Sequence, residues 1–439
     1  MKSLAVRLYG VNDLRLEAFD LPGMKDDEIL ADVTSNSICM SSHKAAAQGA
    51  SHKRVPADVA ENPIIIGHEL CGTLLRVGAR WADRFRAGTR YGLQPALNLP
   101  GREMEAPGYS FRHLGGNATR VLIPREVMEQ DCLLPFEGDA FFKASLSEPV
   151  SCIIGAFNTQ YHFRQGTYVH ENGIVQRGNL AILAGAGPMG LGAVDYALHG
   201  PRRPGLLVVT DIDQARLDRA ASIYPPETAK REGADLRFLN TSGKNPVEAL
   251  MAQTGGAGYD DVFVFAPVAP LVEQASRVLR LNGCLNFFAG PTRKDFCASI
   301  NFYDVHYTGH HVVGSSGGNT DDMRRALELM AGNVIDPAVM ITHVGGLDSA
   351  AQTILDLPDI PGGKKLIYTQ VSMPLIAIGD LGELSRGDPF YAPLARIVAN
   401  NNGLWSAEAE RYLLANARSI EEVVRGGKTA AGTVEDHDC

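Results

Sequence analysis

The chain has 439 residues, of which 45% are hydrophobic and 21% charged, and its formal net charge is -9. This length predicts about two to three domains, and the mildly acidic balance without a dense Lys/Arg block excludes nucleic acid and anionic membranes as expected partners. No apolar run approaches the roughly 18 residues of a membrane span, and the N-terminus becomes charged too early for a secretory leader. The composition therefore predicts a cytoplasmic protein.

The first part of the chain is predicted to be β-rich. Short alternating apolar runs separated by glycine and proline are typical of strands joined by tight turns. They occur at residues 2–8, 14–16, 29–35, 72–77 and 118–123. We expect a compact, barrel-like module from this pattern.

Three motifs in this module carry residues that can bind a metal. Cys39 lies in SICMSSHK, His68 and Glu69 lie in PIIIGHELCG, and Glu148 lies in LSEPVSC. The seven cysteines form no CxxC pair, so any metal site must combine different ligand types. A catalytic zinc site needs about three protein ligands and one open position, which a thiolate, an imidazole and a carboxylate can supply.

The run LAILAGAGPMGLGAVDYALHG predicts a strand, a GxGxxG turn and a helix. Gly185 permits the tight turn, Gly187 lets the backbone approach a diphosphate, and Gly190 lets the helix pack on the strand. A second strand at residues 206–210 is followed by Asp211, which comes 21 residues after Gly190. An acidic residue at about this spacing binds the ribose hydroxyls of a dinucleotide.

Strand and helix patterns alternate after this turn. Helices are predicted at 213–223 and 271–281, and strands at 261–265 and 284–289. This rhythm predicts an α/β fold with a doubly wound parallel sheet of the Rossmann type.

The rest of the chain is predicted to return to the first module. GSSGGNTDD precedes a helix at 323–330, KKLIYT forms a strand at 364–369, a helix covers 407–417, and the polar tail 426–439 is disordered. The predicted domains are 1–156, 157–303, 304–373, which rejoins the first, and a C-terminal extension at 374–439.

The motifs resemble the zinc-dependent medium-chain dehydrogenase/reductase family in its sorbitol dehydrogenase branch. The matching pieces are SICMSS, GHE at 67–69, GGNATRVLIP at 115–124, EP at 148–149 and the GAGPMG turn. Within that branch, longer blocks resemble the bacterial L-sorbose-1-phosphate reductases. They are RLYG, NPIIIGHE, EVMEQDCLL, CLNFFAGP, ASINFYDVHY and SGGNTDDMR.

The resemblance implies a GroES-like catalytic domain that binds one catalytic zinc. Cys39, His68 and either Glu69 or Glu148 would hold the ion, with the other glutamate nearby, and Ser41 would pass a proton between the reacting oxygen and solvent. No structural zinc is expected, because residues 93–113 contain no cysteine.

The chain departs from the family pattern at two positions beside the cysteine. Ser42 stands where an aspartate usually supports the metal site, and Lys44 stands where a histidine usually completes the proton relay. His43 is adjacent to both and is the candidate to replace the missing histidine.

NAD(H) is the expected cofactor, because Asp211 would repel a 2′-phosphate, although the nearby Arg216 leaves NADP(H) open. The residues expected to contact the dinucleotide are Gly185, Gly187, Pro188, Met189, Gly190, Asp211, Arg216 and Ser315. A phosphorylated substrate would need a cationic anchor near the zinc. The candidates are Lys44, Lys53, Arg54 and Arg112.

The activity that the resemblance implies is zinc-dependent, NAD(P)H-linked reduction of a keto-sugar phosphate, L-sorbose 1-phosphate to D-glucitol 6-phosphate. NAD-dependent oxidation of a free polyol such as sorbitol is the first alternative, since it would use the same catalytic residues. A dinucleotide-binding redox sensor without turnover is the second. The family also implies a homo-oligomer, either a dimer or a tetramer.

Overall fold

The computed structural model describes residues 1–291 and 293–430. Its contacts divide the chain into two compact units. The first unit comprises Met1–Glu148 and the chain from Ile341 onward, and the sheet unit comprises Pro149–Met340.

The N-terminal part of the first unit is rich in strands, as predicted. Its strands are β1 (Lys2–Gly10), β2 (Asp13–Asp20), β3 (Ile29–Asp32), β4 (Ser35–Ile38), β5 (Ile64–Ile65), β6 (Glu69–Val77), β7 (Arg90–Leu93), β8 (Arg120–Ile123) and β9 (Leu133–Pro135). Its helices are α1 (Met40–Gln48), α2 (Arg125–Glu129) and α3 (Phe141–Ser145), and α4 (Ser147–Thr159) follows.

The sheet unit alternates strands and helices. Its strands are β10 (Tyr161–Phe163), β11 (His170–Asn172), β12 (Asn179–Leu183), β13 (Leu206–Asp211), β14 (Asp235–Asn240), β15 (Tyr259–Val264), β16 (Leu279–Phe287) and β17 (His311–Val313). Its remaining helices are α5 (Pro188–His199), α6 (Gln214–Ile223), α7 (Pro226–Arg231), α8 (Pro246–Gln253), α9 (Ala269–Val278), α10 (Phe302–Tyr307) and α11 (Thr320–Ala331). In the described chain β12 to β17 form a parallel sheet in the order β14-β13-β12-β15-β16-β17.

Local sequence explains where these elements lie. Every residue of β13 is buried, which suits a strand inside a parallel sheet. Asp213 begins α6 by accepting a hydrogen bond from the Arg216 amide, and Asn319 and Asp322 form a capping box at the start of α11. The prediction of a β-rich module with a doubly wound parallel sheet is confirmed.

The C-terminal part completes the first unit. Its strands are β18 (Ile341–Gly346), β19 (Lys364–Tyr368), β20 (Val371–Ser372), β21 (Ile376–Ala377) and β22 (Arg418–Ser419). Its helices are α12 (Ala350–Leu355), α13 (Leu381–Gly387), α14 (Tyr391–Asn400), α15 (Ala407–Asn416) and α16 (Ile420–Ala430). β19 pairs with β4, and β4 pairs with β6, so strands from both ends of the chain share one sheet.

Four predicted boundaries differ from the structure. Residues 149–156 and 304–340 both belong to the sheet unit, in which β17 pairs with β16. The predicted helix 271–281 ends at Val278, since Leu279 already pairs with Tyr259 of β15. The predicted tail at 426–439 begins within α16, which continues to Ala430, and its residues 431–439 lie outside the described part.

The described part of the predicted extension, residues 374–430, packs into the first unit. Ile420 belongs to the same buried apolar cluster as Leu8, Ile38 and Ile367. Within residues 1–291 and 293–430, no helix combines the length and apolar character that a membrane crossing requires.

Candidate metal centre and dinucleotide turn

The antiparallel pairing of β4 with β6 brings three predicted metal ligands together. Cys39 directly follows β4, and His68 directly precedes β6, whose first residue is Glu69. Because Ser37 of β4 lies opposite Glu69, the end of one strand adjoins the start of the other. The ligand atoms of Cys39, His68 and Glu69 all lie within 4.8 Å of one another.

The contacts of the two Glu69 carboxylate oxygens show that the three clustered ligands fit a cation. Glu69 is 1% exposed, and its Oε1 accepts a hydrogen bond from Lys364 Nζ at 2.5 Å. In the part of the chain that the structure describes, the buried Oε2 has no hydrogen-bond partner. Buried polar atoms are rarely left unpaired, so a cation between sulfur, nitrogen and this oxygen would complete the site.

His68 is suited to ligate a metal as a neutral imidazole. Burial lowers the pKa of its ring, which favours the uncharged form. Its Nδ1 lies 3.5 Å from Ser42 Oγ, so the serine that replaces the expected aspartate occupies the supporting position. Its Nε2 lies 3.4 Å from both Ser41 Oγ and the Tyr109 hydroxyl.

Lys364 governs the charge of the centre, and the sequence analysis did not identify it. The Lys364–Glu69 ion pair is almost fully buried, with side-chain exposures of 8% and 1%. Burial acts to lower the pKa of Lys364, but the negative charges of Glu69 and Cys39 outweigh it, and the net shift is upward. The lysine therefore stays charged and offsets one of the negative ligands.

Glu148 lies outside the group of three ligands but close enough to interact with them. The pKa of its carboxyl is raised to about 7, mainly by burial and also by the charges of Glu69 and Cys39, while His68 acts to lower it. Its position is compatible with a supporting role beside the ion. Its predicted role as an alternative ligand stays a prediction.

Glutamine variants should separate the roles of the two glutamates. We expect Glu69→Gln to lower zinc affinity by at least about 100-fold, because the unpaired Oε2 loses its charge, and Glu148→Gln to lower it less than about 10-fold. Competition with a chromophoric chelator measures both values. Equal losses in the two variants would instead make Glu148 a full ligand.

The hydroxyl next to Ser41 is that of Tyr109, which the sequence analysis missed. The Tyr109 hydroxyl donates to Ser41 Oγ at 2.7 Å, and Ser41 Oγ donates to Cys39 Sγ at 3.0 Å. His43, the candidate replacement in the relay, instead has its Nδ1 2.9 Å from the carbonyl oxygen of Ile354. The contacts of Ser41 thus lead to Tyr109 and away from His43.

Three of the four predicted phosphate anchors carry charge near one histidine, His52. The Arg54 guanidinium lies 5.5 Å from the centre of the Tyr109 ring, and the His52 ring stacks on the same tyrosine at 5.9 Å. Burial lowers the pKa of His52, and the charges of Arg54, Lys53 and Lys44 lower it further. These three cations are called the positive group below, and Arg54 is the member that contacts Tyr109.

The fourth predicted anchor, Arg112, belongs to a different neighbourhood. Its side chain is exposed, and its charge acts on His113, whose pKa is lowered mainly by burial. His113 in turn stacks on Phe19. Arg112 is therefore a suitable control for substitutions in the positive group.

The glycine turn has the form predicted for binding a diphosphate. It follows β12, and Gly187 is the N-cap of α5, with Pro188 at the first helical position. A Cβ at Gly185 would lie 2.6 Å from Ile182 Cγ2, and one at Gly190 would lie 2.2 Å from the Gly185 carbonyl oxygen. A Cβ at Gly187 would meet no atom of the described chain within 4 Å, so among the three glycines of the turn it is Gly187 that has space for a ligand beside it.

The other predicted dinucleotide residues are placed in the same unit. Asp211 ends β13, and its Oδ2 accepts a hydrogen bond from the Ala186 amide of the turn at 3.3 Å. Arg216 pairs with Asp213 at 3.4 Å, and Met189 is half-buried in the first turn of α5. The buried Ser315 hydroxyl has no hydrogen-bond partner within the described ranges, so it can accept a hydrogen bond from a ligand.

Comparisons with known proteins identify the family of this chain. The sequence profile described as zinc-binding dehydrogenase matches residues 188–332. L-sorbose 1-phosphate reductase of Klebsiella pneumoniae is 53% identical over 416 residues, covering 95% of this chain and 98% of the relative. Mannitol-1-phosphate 5-dehydrogenase of Aliivibrio fischeri is 49% identical over 414 residues, covering 94% of this chain and 97% of the relative.

The fold is also similar to solved structures. A zinc-binding dehydrogenase from Sinorhizobium meliloti, solved with NADP, superposes with a TM-score of 0.67 at 22% identity. The match covers 84% of this chain and 100% of that chain. At this identity the match establishes the fold alone.

Proposed function

Since the chain belongs to the zinc-binding medium-chain dehydrogenases, we propose that it reduces L-sorbose 1-phosphate to D-glucitol 6-phosphate with NAD(P)H. The relatives themselves show that the chain is a zinc-dependent dehydrogenase or reductase of sugars or sugar phosphates. The observation that carries the finer proposal is the Arg54 guanidinium beside Tyr109, whose hydroxyl lies 3.4 Å from His68.

The position of Arg54 favours a phosphate close to the reacting carbon. Its guanidinium lies 5.5 Å from the centre of the Tyr109 ring, and the ring of the candidate ligand His68 lies 4.8 Å from the same centre. In L-sorbose 1-phosphate the carbonyl and the phosphate are on adjacent carbons. The mannitol relative is named for reaction at carbon 5 of a 1-phosphate, which places the two groups at opposite ends of the substrate.

Zinc bound by Cys39, His68 and Glu69 would supply the Lewis acidity that polarises a carbonyl. A reduced nicotinamide would supply the hydride. Lys364 limits how far the negative ligands neutralise the centre, because its ammonium already balances Glu69. With zinc bound, this charge balance would leave more positive charge to polarise a carbonyl.

Proton transfer is assigned to hydroxyl groups of the chain. The Ser41 hydroxyl would donate its proton to the reacting oxygen and take one from Tyr109, which hydrogen-bonds to it at 2.7 Å, and Tyr109 would regain its own proton from solvent. Arg54 meanwhile holds the phosphate by charge-assisted hydrogen bonds. Asp211 at the end of β13 supports NAD(H) as the cofactor, and Arg216, which pairs with Asp213, leaves NADP(H) a second possibility.

The alternative activities share these residues or leave them unexplained. Oxidation of a free polyol needs the metal centre and the dinucleotide but gives no role to the positive group. A redox sensor without turnover would have no use for three clustered metal ligands. A homo-oligomer and a cytoplasmic location stay predictions.

A substitution at Arg54 tests the proposal. We expect Arg54→Ala to raise the KM for L-sorbose 1-phosphate by about 10- to 100-fold, because the variant loses one or two charge-assisted hydrogen bonds to the phosphate. The KM for free sorbitol should stay within about two-fold of the parent value. Steady-state kinetics with both substrates measure the two KM values. Arg112→Ala removes the same charge outside the positive group and should change neither KM.

Two outcomes would count against this function. Equal effects of Arg54→Ala on the KM of phosphorylated and free substrates would show that Arg54 does not bind the phosphate. A parent enzyme that prefers free sorbitol to every sugar phosphate would make it a polyol dehydrogenase.

A further inference from the structure

The C-terminal segment brings a buried carboxylate into the first unit. Glu410, on α15, is 2% exposed, and Trp405, just before that helix, is fully buried. Neither residue belongs to a motif that the proposed function uses. A buried carboxylate is costly unless hydrogen bonds compensate it, so its contacts should be informative.

Glu410 is surrounded by hydrogen-bond donors. Its Oε1 accepts from the Phe141 amide at 2.6 Å, and its Oε2 accepts from the Phe142 amide at 2.8 Å and from the Tyr368 hydroxyl at 2.9 Å. Trp405 Nε1 donates to the same Tyr368 hydroxyl at 2.7 Å. One side chain thus joins α15 to the start of α3 and to the end of β19.

Each of these two elements leads to the metal centre. Tyr368 is the last residue of β19, and Lys364, the partner of Glu69, is its first. Phe141 begins α3, and the chain continues directly into α4, which carries Glu148.

A third contact connects the same place to the strand of Glu69. Cys71, two residues after Glu69 on β6, donates from Sγ to the Phe141 carbonyl oxygen at 2.9 Å. The start of α3 is therefore held between Glu410 on one side and β6 on the other.

We propose that Glu410 is a positioning residue of the metal centre, through which the C-terminal segment sets where Lys364 and Glu148 lie relative to Glu69. This inference rests on the metal site of the proposed function but not on its substrate. Glutamine would keep the size of the side chain and place an amide group against donors that need an acceptor. The start of α3 and the end of β19 would then lose their common attachment.

Cobalt-substituted protein tests this directly, because visible absorption reports the ligand geometry of the ion. We expect Glu410→Gln to shift the cobalt bands and to accelerate zinc release to a chelator by about 10-fold or more. Glu408→Gln, the same change at an exposed position of α15, should match the parent protein. Leu21→Ala, in a separate apolar cluster of the first unit, controls for a general loss of stability.

The outcomes separate this inference from the proposed function. Glu410→Gln with a lower Tm but unchanged cobalt bands and zinc release would make the residue merely structural. A parent protein that binds neither zinc nor cobalt would instead contradict the proposed function. If Glu410→Gln does not fold, Tyr368→Phe removes only the shared hydroxyl, and unchanged bands and zinc release in that variant would overturn the proposal.

Discussion

Replacement of Lys364 by methionine is expected to lower the unfolding free energy of the metal-free protein by about 3 to 5 kcal/mol. Methionine retains most of the aliphatic stem but leaves the Glu69 carboxylate buried without its positive partner. With zinc bound, the ion compensates the carboxylate, so the loss should be smaller. By linkage, the variant should then bind zinc more tightly than the parent, by about 10-fold or more.

Denaturant unfolding with and without zinc measures both effects. The double variant Lys364→Met, Glu69→Gln removes both charges and should regain most of the lost stability but not the zinc affinity. Lys365→Met is the matched control, because Lys365 Nζ donates to the carbonyl oxygens of Ile360, Pro361 and Gly363 instead of to a ligand. Weaker zinc binding in Lys364→Met would contradict this account of the charge balance.

Alanine at Gly187 is expected to weaken NADH binding by roughly 10- to 100-fold while leaving the fold intact. The added methyl group meets nothing within 4 Å in the described chain and would occupy the space into which a diphosphate must approach. Titration of NADH fluorescence measures the Kd, and thermal unfolding measures the stability.

Alanine at Gly190 should instead lower the stability of the fold. Its methyl group would lie 2.2 Å from the Gly185 carbonyl oxygen, so the turn itself must move, at a cost of about 3 kcal/mol in stability. Gly332→Ala, where the methyl group meets only ordinary contacts of 3.4 Å and beyond, is the control. Unchanged NADH affinity in Gly187→Ala would place the dinucleotide elsewhere.

The features that could be predicted from the sequence involve residues that are close along the chain or belong to recurring patterns. The glycine turn, the strand before it and Asp211 span about thirty residues, and their spacing alone describes the site. The metal ligands came from the resemblance, and pairing of β4 with β6 accounts for their proximity. The resemblance left Glu69 and Glu148 as alternative metal ligands. Only the fold places Glu69 together with Cys39 and His68 in one group of candidate ligands.

The extension shows a second limit of sequence reasoning. The apolar pattern near Trp405 predicts a helix at 407–417, and α15 confirms it at Ala407–Asn416. The pattern contains no information on what that helix packs against. A glutamate in a surface-like helix is normally solvated, and only the fold shows that Glu410 is buried against α3 and β19.

What the amino-acid order determined by itself is the fold class and the dinucleotide turn, because periodicity and short-range spacing control these features, whereas the metal ligands came from the family resemblance. Tertiary structure alone decided which charges meet. Lys364 lies 295 positions from Glu69, and Tyr109 lies 68 positions from Ser41. A lysine at a strand start is ordinarily exposed, and it becomes part of a metal centre only when folding removes water from both it and a distant carboxylate.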